Sequence, residues 1–505
     1  MNPAEPTPPR PLWWRLLPLW GVLLLLATTP FSQLPRDLWT DEAFTASYTT
    51  YSTVGLVLED VRKNEETPPL YFLLIWLWSR VAGSGEVALR LPSLIGAMLA
   101  VAILVALMQR WRSDAEALVA GAAMALSPLV AHFTVEARVY SLLMLMTVGG
   151  IAAFEYVYRH PHNRLALAGY TLMAAILFLT SYFGIAILAA HNLIWIVRVL
   201  RHRAHWRQDL LPWVIVQVGI GVLVLPWLPA LLYQVEVASA TTFARDVSAG
   251  WFFMLALSLA AYTESSVTMF SIWLFAFFWS IMIYGLLRSL DRRGDEGLVL
   301  RAFGVPLLMM GGVVLLLQAS SVRYLMVLTP GIAIATAAGW NALRQRFPHT
   351  GAMLAGGLIG VLLLYRLPGI VAPPPIEQAW GKLSARVAQQ ANPLHDTVIF
   401  QPPGELRSFT YYYHGPSLRL LGAQNYDEFY DVQGHDFRTT WNPNELEAII
   451  GANRETRRVW VFFKPFIFQP EPFRLPYRLT GHWKSAGELE LFRYEIAPGE
   501  INGER

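Results

Sequence analysis

Apolar residues along the chain gather into runs of roughly 16 to 22, long enough for a helix to cross a hydrocarbon core of ~30 Å. Such runs lie near 13–33, 91–109, 115–131, 139–158, 164–180, 182–200, 210–231, 268–288, 301–318, 324–342 and 350–370. Short basic turns separate them: Arg110 and Arg112; Arg159 and Arg164; Arg201, Arg203 and Arg207; Arg288, Arg292 and Arg293; Arg344 and Arg346. These turns fall at every second connection, and Arg10 and Arg15 flank the start of the first run. Cytoplasmic loops carry the excess of Lys and Arg, so the basic turns and the N-terminus are expected inside and the C-terminus outside. An odd number of crossings, about 11, follows. Residues 69–82, PLYFLLIWLWSRVA, are apolar but only 14 long. If they crossed, every later basic turn would lie outside. A run of this length is expected to lie on the outer membrane surface, which makes 34–90 one extracytoplasmic loop.

The pattern changes after Pro373-Pro374-Pro375. Short β-type runs appear at Thr397–Gln401, Leu418–Leu421, Arg458–Phe463 and Glu488–Tyr494, with helical patterns at Glu377–Gln390 and Asn444–Ile450. Strands alternating with helices predict a small α/β domain. The expected architecture is therefore an all-α polytopic membrane domain over 1–372 and a small C-terminal extracytoplasmic α/β domain over 373–505. No internal repeat is visible, which weakens the case for a transporter assembled from duplicated halves.

Composition agrees with a bilayer. The chain of 505 residues is 54% hydrophobic and 15% charged, against about 25% charged in soluble proteins. Its 19 Trp and 20 Tyr supply interfacial anchors. A net charge of +3 is too small to point to nucleic acid. There are no cysteines, which excludes disulfides, thiolate metal ligands and thiol chemistry. No small-x-small cleavage site follows the first apolar run, so it reads as a retained span.

Candidate chemistry collects on the outer side. The stretch WTDEAFT, residues 39–45, presents Asp41 and Glu42 where the chain leaves its first span. The loop from Ser127 to Tyr140 carries His132, Glu136 and Arg138; Ser320-Ser321-Val322-Arg323-Tyr324 opens a later span; Arg90 precedes the second. Arginines on this face run against the positive-inside bias, so each calls for a local partner. A docking anion is one such partner, and guanidinium is the side chain best matched to phosphate. Arg138, Arg323 and Arg90 are accordingly candidate phosphate ligands. Glu136, Tyr140, Tyr324 and Glu264, the last in Tyr-Thr-Glu-Ser-Ser, are candidates for contact with the reacting molecules. Plainer roles compete: snorkelling or anchoring for Arg138 and Arg323, a loop-fixing pair with Glu86 for Arg90, and an interhelical hydrogen bond for His191 beside Asn192.

WTDEAFT, Pro68-Pro69-Leu70-Tyr71-Phe72, the stretch from Gly85-Glu86 to Arg90-Leu91-Pro92-Ser93, and Ser127-Pro128 through Glu136-Ala137-Arg138-Val139-Tyr140 together resemble the dolichyl-phosphate-mannose-protein mannosyltransferase superfamily. Its bacterial branch includes the aminoarabinose transferases that modify lipid A. The resemblance spans about 10–345. It implies a GT-C glycosyltransferase of the cell envelope, with two juxtamembrane helices in the first external loop that correspond to 43–62 and 69–82. It also implies transfer of a hexose or pentose from a polyprenyl-phosphate donor to a lipid, glycan or protein acceptor on the outer face, with inversion. The catalytic base it implies falls on Asp41, with Glu42 orienting it or binding acceptor. One departure stands out: the family places His or Lys directly before Pro-Pro-Leu, and here the stretch reads Glu65-Glu66-Thr67-Pro68-Pro69. The chain has no Asp-x-Asp pair, and neither a metal nor another cofactor is expected. The competing function is a membrane transporter or flippase of lipid-linked sugars, which would need polar residues lining a path through the bilayer. Such residues are sparse here, with Glu155, His191 and Asn192 the main ones.

Overall fold

The computed structural model describes residues 16–201, 206–241, 269–290, 297–317, 322–348, 353, 356, 357, 359, 360, 363, 379–401, 403–423, 438–440, 450, 456–464, 475, 477–485 and 489–496. Glu264, most of the 350–370 run and the triple proline lie outside them. Two compact units result, both discontinuous in sequence: one combines 1–31, 65–71 and 90–372, the other 32–64, 72–89 and 373–505. The segment 32–89 thus belongs for the most part with the C-terminal segment.

The first unit is helical. Glu86–Trp111, Tyr140–Arg159, Tyr182–Arg201, Trp206–Glu236, Gly297–Val314 and Val322–Arg346 are each long and apolar enough to span a membrane. Arg164–Thr180 and Leu17–Thr28 are shorter apolar helices, and Met269–Leu290 occupies the run expected at 268–288. Among the described residues this gives six candidate spans, or seven with one bent pair. The expected third span, 115–131, is that pair: Asp114–Ala125 and Pro128–Thr134 meet at 59°. The break has a local cause. Pro128 has no N–H to donate into the preceding turn, and the Ser127 hydroxyl caps the new helix by accepting the Val130 N–H.

Small residues set the closest helix approach. A β-carbon at Gly339 would overlap the Ile281 carbonyl, and one at Gly285 would meet the Ala335 carbonyl and Gly339 backbone. Met269–Leu290 and Thr329–Arg346 therefore pack backbone to backbone, as membrane helices do where association depends on contact rather than on expelling water. Further along the unit, Arg301 makes a bidentate pair with buried Glu155, at 2.6 and 2.8 Å. Arg301 sits in a wide π turn, Leu300–Gly304, and lies over the Tyr158 ring. His191 bonds Tyr170 at 3.0 Å and stacks on Phe154; Asn192 reaches the Trp213 indole and Gln217. These polar groups thus pair with one another inside the helical unit.

The second unit is built on six strands: β1 Asp396–Gln401, β2 Arg419–Ala423, β3 Arg438–Thr440, β4 Arg458–Phe463, β5 Arg478–Lys484 and β6 Glu490–Glu495. Their order is β3-β2-β1-β4-β6-β5. β1 runs parallel to both β2 and β4, and β6 pairs antiparallel with β4 and β5. Every residue of β1 is buried, as expected for a parallel strand covered on both faces. Val398, Phe400, Trp460 and Phe462 face the helix Trp380–Gln390, which contributes Trp380, Leu383 and Val387. Ile399, Val459, Val461 and Phe463 fill the opposite layer with Phe492 and Tyr494.

The loop elements of this unit are three helices. The single juxtamembrane helix expected over 43–62 is two, Thr40–Ser47 and Val54–Asn64, joined through a 3-10 turn at Tyr48–Thr50. The third, Leu70–Ala82, matches the apolar run at 69–82. Its indoles are tied down: Trp76 Nε1 donates to the Tyr51 carbonyl and Trp78 Nε1 to that of Ala88.

Candidate functional site

The two carboxylates of WTDEAFT play different parts. Glu42 is fully buried, and its Oε2 accepts the Trp39 N–H at 3.3 Å, closing the first turn of Thr40–Ser47. A helix start leaves backbone donors without partners, and a Glu at the third helical position is well placed to take one. Asp41, one residue earlier, is half-buried.

Residues that sequence reasoning passed over surround this helix. Thr40 Oγ1 donates to Glu405 Oε1 at 2.7 Å and accepts from Lys464 Nζ at 2.9 Å. Lys464 and Glu405 pair at 3.4 Å. At the other end of the helix, Arg407 donates to Ser47 Oγ at 2.8 Å and to both Asp60 oxygens at 3.1 Å. Its guanidinium also lies 4.4 Å from the centre of the Phe44 ring. Asp37 accepts the Gly381 N–H at 2.8 Å, and the Tyr412 hydroxyl accepts that of Leu38 at 2.6 Å. Burial pushes the Tyr412 phenol well above its ordinary range, so it remains neutral. The available signal for these residues was Pro-Pro-Gly-Glu-Leu-Arg directly after β1, a strand-to-helix turn of the kind that places polar groups at a sheet's carboxyl end.

In the first unit, the loop arginines separate. Arg138 is buried, 3.9 Å from Glu65, and its carbonyl accepts the Ser93 hydroxyl. An acidic residue just ahead of the Pro68-Pro69-Leu70 stretch thus stands opposite the arginine proposed to bind phosphate. Glu136 is buried and pairs with His132 at 2.7 Å. Tyr140 is a core residue against Phe133. Arg323 lies over the Tyr324 ring, which stacks 3.9 Å from Phe183. Arg90 was expected ahead of the second span. It lies inside the helix Glu86–Trp111, fully buried, because that helix begins one turn earlier than its apolar run. Glu264 lies outside the described residues. No three His, Asp or Glu side chains converge as a metal ion would require, among the described residues.

Residues 66–229 match the family model described as dolichyl-phosphate-mannose-protein mannosyltransferase, in line with the resemblance carried by the motifs. The fold is shared along nearly the whole chain with ArnT from Cupriavidus metallidurans. The apo structure has a TM-score of 0.63 at 13% identity, covering 95% of this chain and 97% of that one. The structure bound to undecaprenyl phosphate gives 0.58 at 12%, covering 98% and 99%. The archaeal oligosaccharyltransferase AglB from Archaeoglobus fulgidus, in complex with an inhibitory peptide and a dolichol-phosphate, gives 0.56 at 12%, covering 89% and 69%. A comparison with curated protein sequences gives no match. With its apolar helices and this shared fold, the chain is a multi-pass membrane protein.

Proposed function

We propose that the protein is an integral-membrane glycosyltransferase of the inner membrane. It takes a sugar from a polyprenyl-phosphate carrier and passes it to an acceptor on the extracytoplasmic face. The N-terminus is cytoplasmic, about 11 helices cross, and the C-terminal domain lies outside. The carrier chemistry is supported by neighbours of the same fold whose structures hold undecaprenyl phosphate or a dolichol-phosphate.

The chemistry is a single displacement. An acceptor hydroxyl oxygen attacks the anomeric carbon as the bond from that carbon to the phosphate oxygen breaks, which inverts the configuration. The hydroxyl proton passes to Asp41, and the departing lipid phosphate takes the electron pair. A carboxylate in hydrogen-bond reach suits the first transfer, and fixed guanidinium groups suit the second. Arg138, Arg323 and Arg90 are assigned to the phosphate, and Glu136, Tyr140, Tyr324 and Glu264 to the donor and acceptor. The displacement as written needs no metal or other cofactor.

The observation that carries the assignment is the division between Asp41 and Glu42: one is consumed in building the helix start, the other keeps partial access. Asp41→Asn is expected to abolish release of polyprenyl phosphate in proteoliposomes made with a lipid extract of the source membrane, while the protein stays monodisperse. Full turnover by that variant removes Asp41 from the mechanism.

A further inference from the structure

In a doubly wound sheet, ligands bind at the carboxyl ends of the strands where the winding reverses. In this chain that point lies between β1 and β4: β2 and β3 extend the sheet from one side of β1, and β4 returns on the other. The Lys464 N–H bonds the Gln401 carbonyl at 2.9 Å, holding the two strand ends together. Glu405 follows β1 and Lys464 follows β4, so the crevice is lined by an anion and a cation. A nucleotide or a free sugar would be the default occupant.

The crevice is already filled. Thr40, immediately before Asp41, uses its one hydroxyl to donate to Glu405 and accept from Lys464. Glu405 is 2% exposed, and its second oxygen takes the Ser408 hydroxyl at 3.3 Å. Two residues further along the same segment, Arg407 holds Ser47 and Asp60. Both ends of the helix that carries Asp41 are therefore gripped by 405–407, and the start is gripped again by Lys464. A loop that only needed a soft landing on the domain would not call for a buried carboxylate and a lysine converging on one threonine. Burying that carboxylate is costly beside a half-buried lysine, and the cost is compensated only where the geometry is kept.

We infer that the C-terminal α/β domain is a positioning device for the transfer reaction, with Glu405 and Lys464 setting the place of Asp41 through Thr40. The inference deepens the reading of Asp41 as general base and rests on it. Lys464 and Glu405 are positioning residues, not groups that touch the sugar. A displacement of about 1 Å in a reacting group can cost on the order of 10²-fold in rate, so loosening this grip should act on turnover and leave carrier binding intact.

The test uses the full-length chain in proteoliposomes, with source-membrane lipid extract diluted into carrier lipid to vary the donor. Released polyprenyl phosphate is read by mass spectrometry. Thr40→Val, which keeps shape and removes the hydroxyl, and Lys464→Gln should each lower kcat at least tenfold with the apparent KM for donor within twofold. Thr40→Ser, which restores the oxygen, should recover most of the rate. Hydrogen exchange across β1 and β4 should be unchanged in all three, reporting an intact domain. Wild-type kcat in Thr40→Val, or a raised donor KM at preserved kcat in Lys464→Gln, overturns the inference. Asp41→Asn measured alongside separates the two failures. An inactive Asp41→Asn with a fully active Thr40→Val removes the positioning role alone, whereas an active Asp41→Asn removes the base and with it the inference.

Discussion

Removing Arg407 should release the helix Val54–Asn64 and leave the sheet standing. Arg407 and Asp60 are 4% and 7% exposed, and the guanidinium donates to both carboxylate oxygens at 3.1 Å. Asp60 keeps a hydrogen bond from Asn64, but Arg407→Met strips its buried charge of the guanidinium that balances it. Breaking a buried pair from one side costs about 3–5 kcal/mol, and the lost Ser47 bond adds roughly 1 kcal/mol. Each 1.4 kcal/mol is tenfold in an equilibrium. Amide exchange through local opening of 54–64 should therefore rise at least about 10²-fold, up to the limit set by global unfolding. Hydrogen exchange read by mass spectrometry in detergent resolves the peptides spanning 40–64 and 396–401. The double variant Arg407→Met with Asp60→Asn, which removes both charges, should recover most of the protection. Wild-type exchange in folded Arg407→Met would refute the pair as the loop's anchor. Equal losses in the single and double variants would show that packing over Phe44, not charge, holds the loop.

Two further outcomes are expected. Gly339→Leu drives a side chain into the Ile281 carbonyl and should abolish the monodisperse peak in size-exclusion chromatography. Gly311→Leu, with nothing within 4 Å of where a β-carbon would stand, should leave that peak intact. On the β5–β6 hairpin, burial acts to raise the pKa of Glu490, but hydrogen bonds from Lys484 and His482 and their charges outweigh it and hold it below the ordinary carboxylate value. A carboxylate lowered in the folded state stabilises above its unfolded pKa, about 4.3, and loses that contribution as pH falls through the folded value. Glu490→Gln should thus speed exchange in 478–495 at neutral pH, and the difference from wild type should vanish in acid.

Much of the helical unit was legible because hydropathy is a one-dimensional signal. A run of apolar residues crosses a bilayer whatever its neighbours do, so helices appear at nearly every expected place. Errors arose where backbone chemistry overrode hydropathy, as at Ser127-Pro128, or where a polar residue continued a helix past its apolar run, as at Arg90. The four β-type runs became β1, β2, β4 and β6 because buried strands also announce themselves locally. Thr40, Glu405, Arg407 and Lys464 could not be found that way. Glu405 lies 365 residues from Thr40, and Lys464 lies 424. No periodicity encodes a partner at such a distance.

The same separation bears on why WTDEAFT looks as it does. Helix Thr40–Ser47 is eight residues long, shorter than the roughly 12 to 15 at which isolated helices become even marginal in water. It cannot hold Asp41 in place by propensity alone. Its order has to come from contacts, and those the structure supplies are Glu42 from within and Glu405, Lys464 and Arg407 from the α/β domain. As the proposed general base, Asp41 on so short a helix is only as well placed as the surface that grips it. Turnover should therefore respond to substitutions in 403–407 and at 464 that never meet the sugar, and should be far less sensitive to changes on the outer edge strand β5.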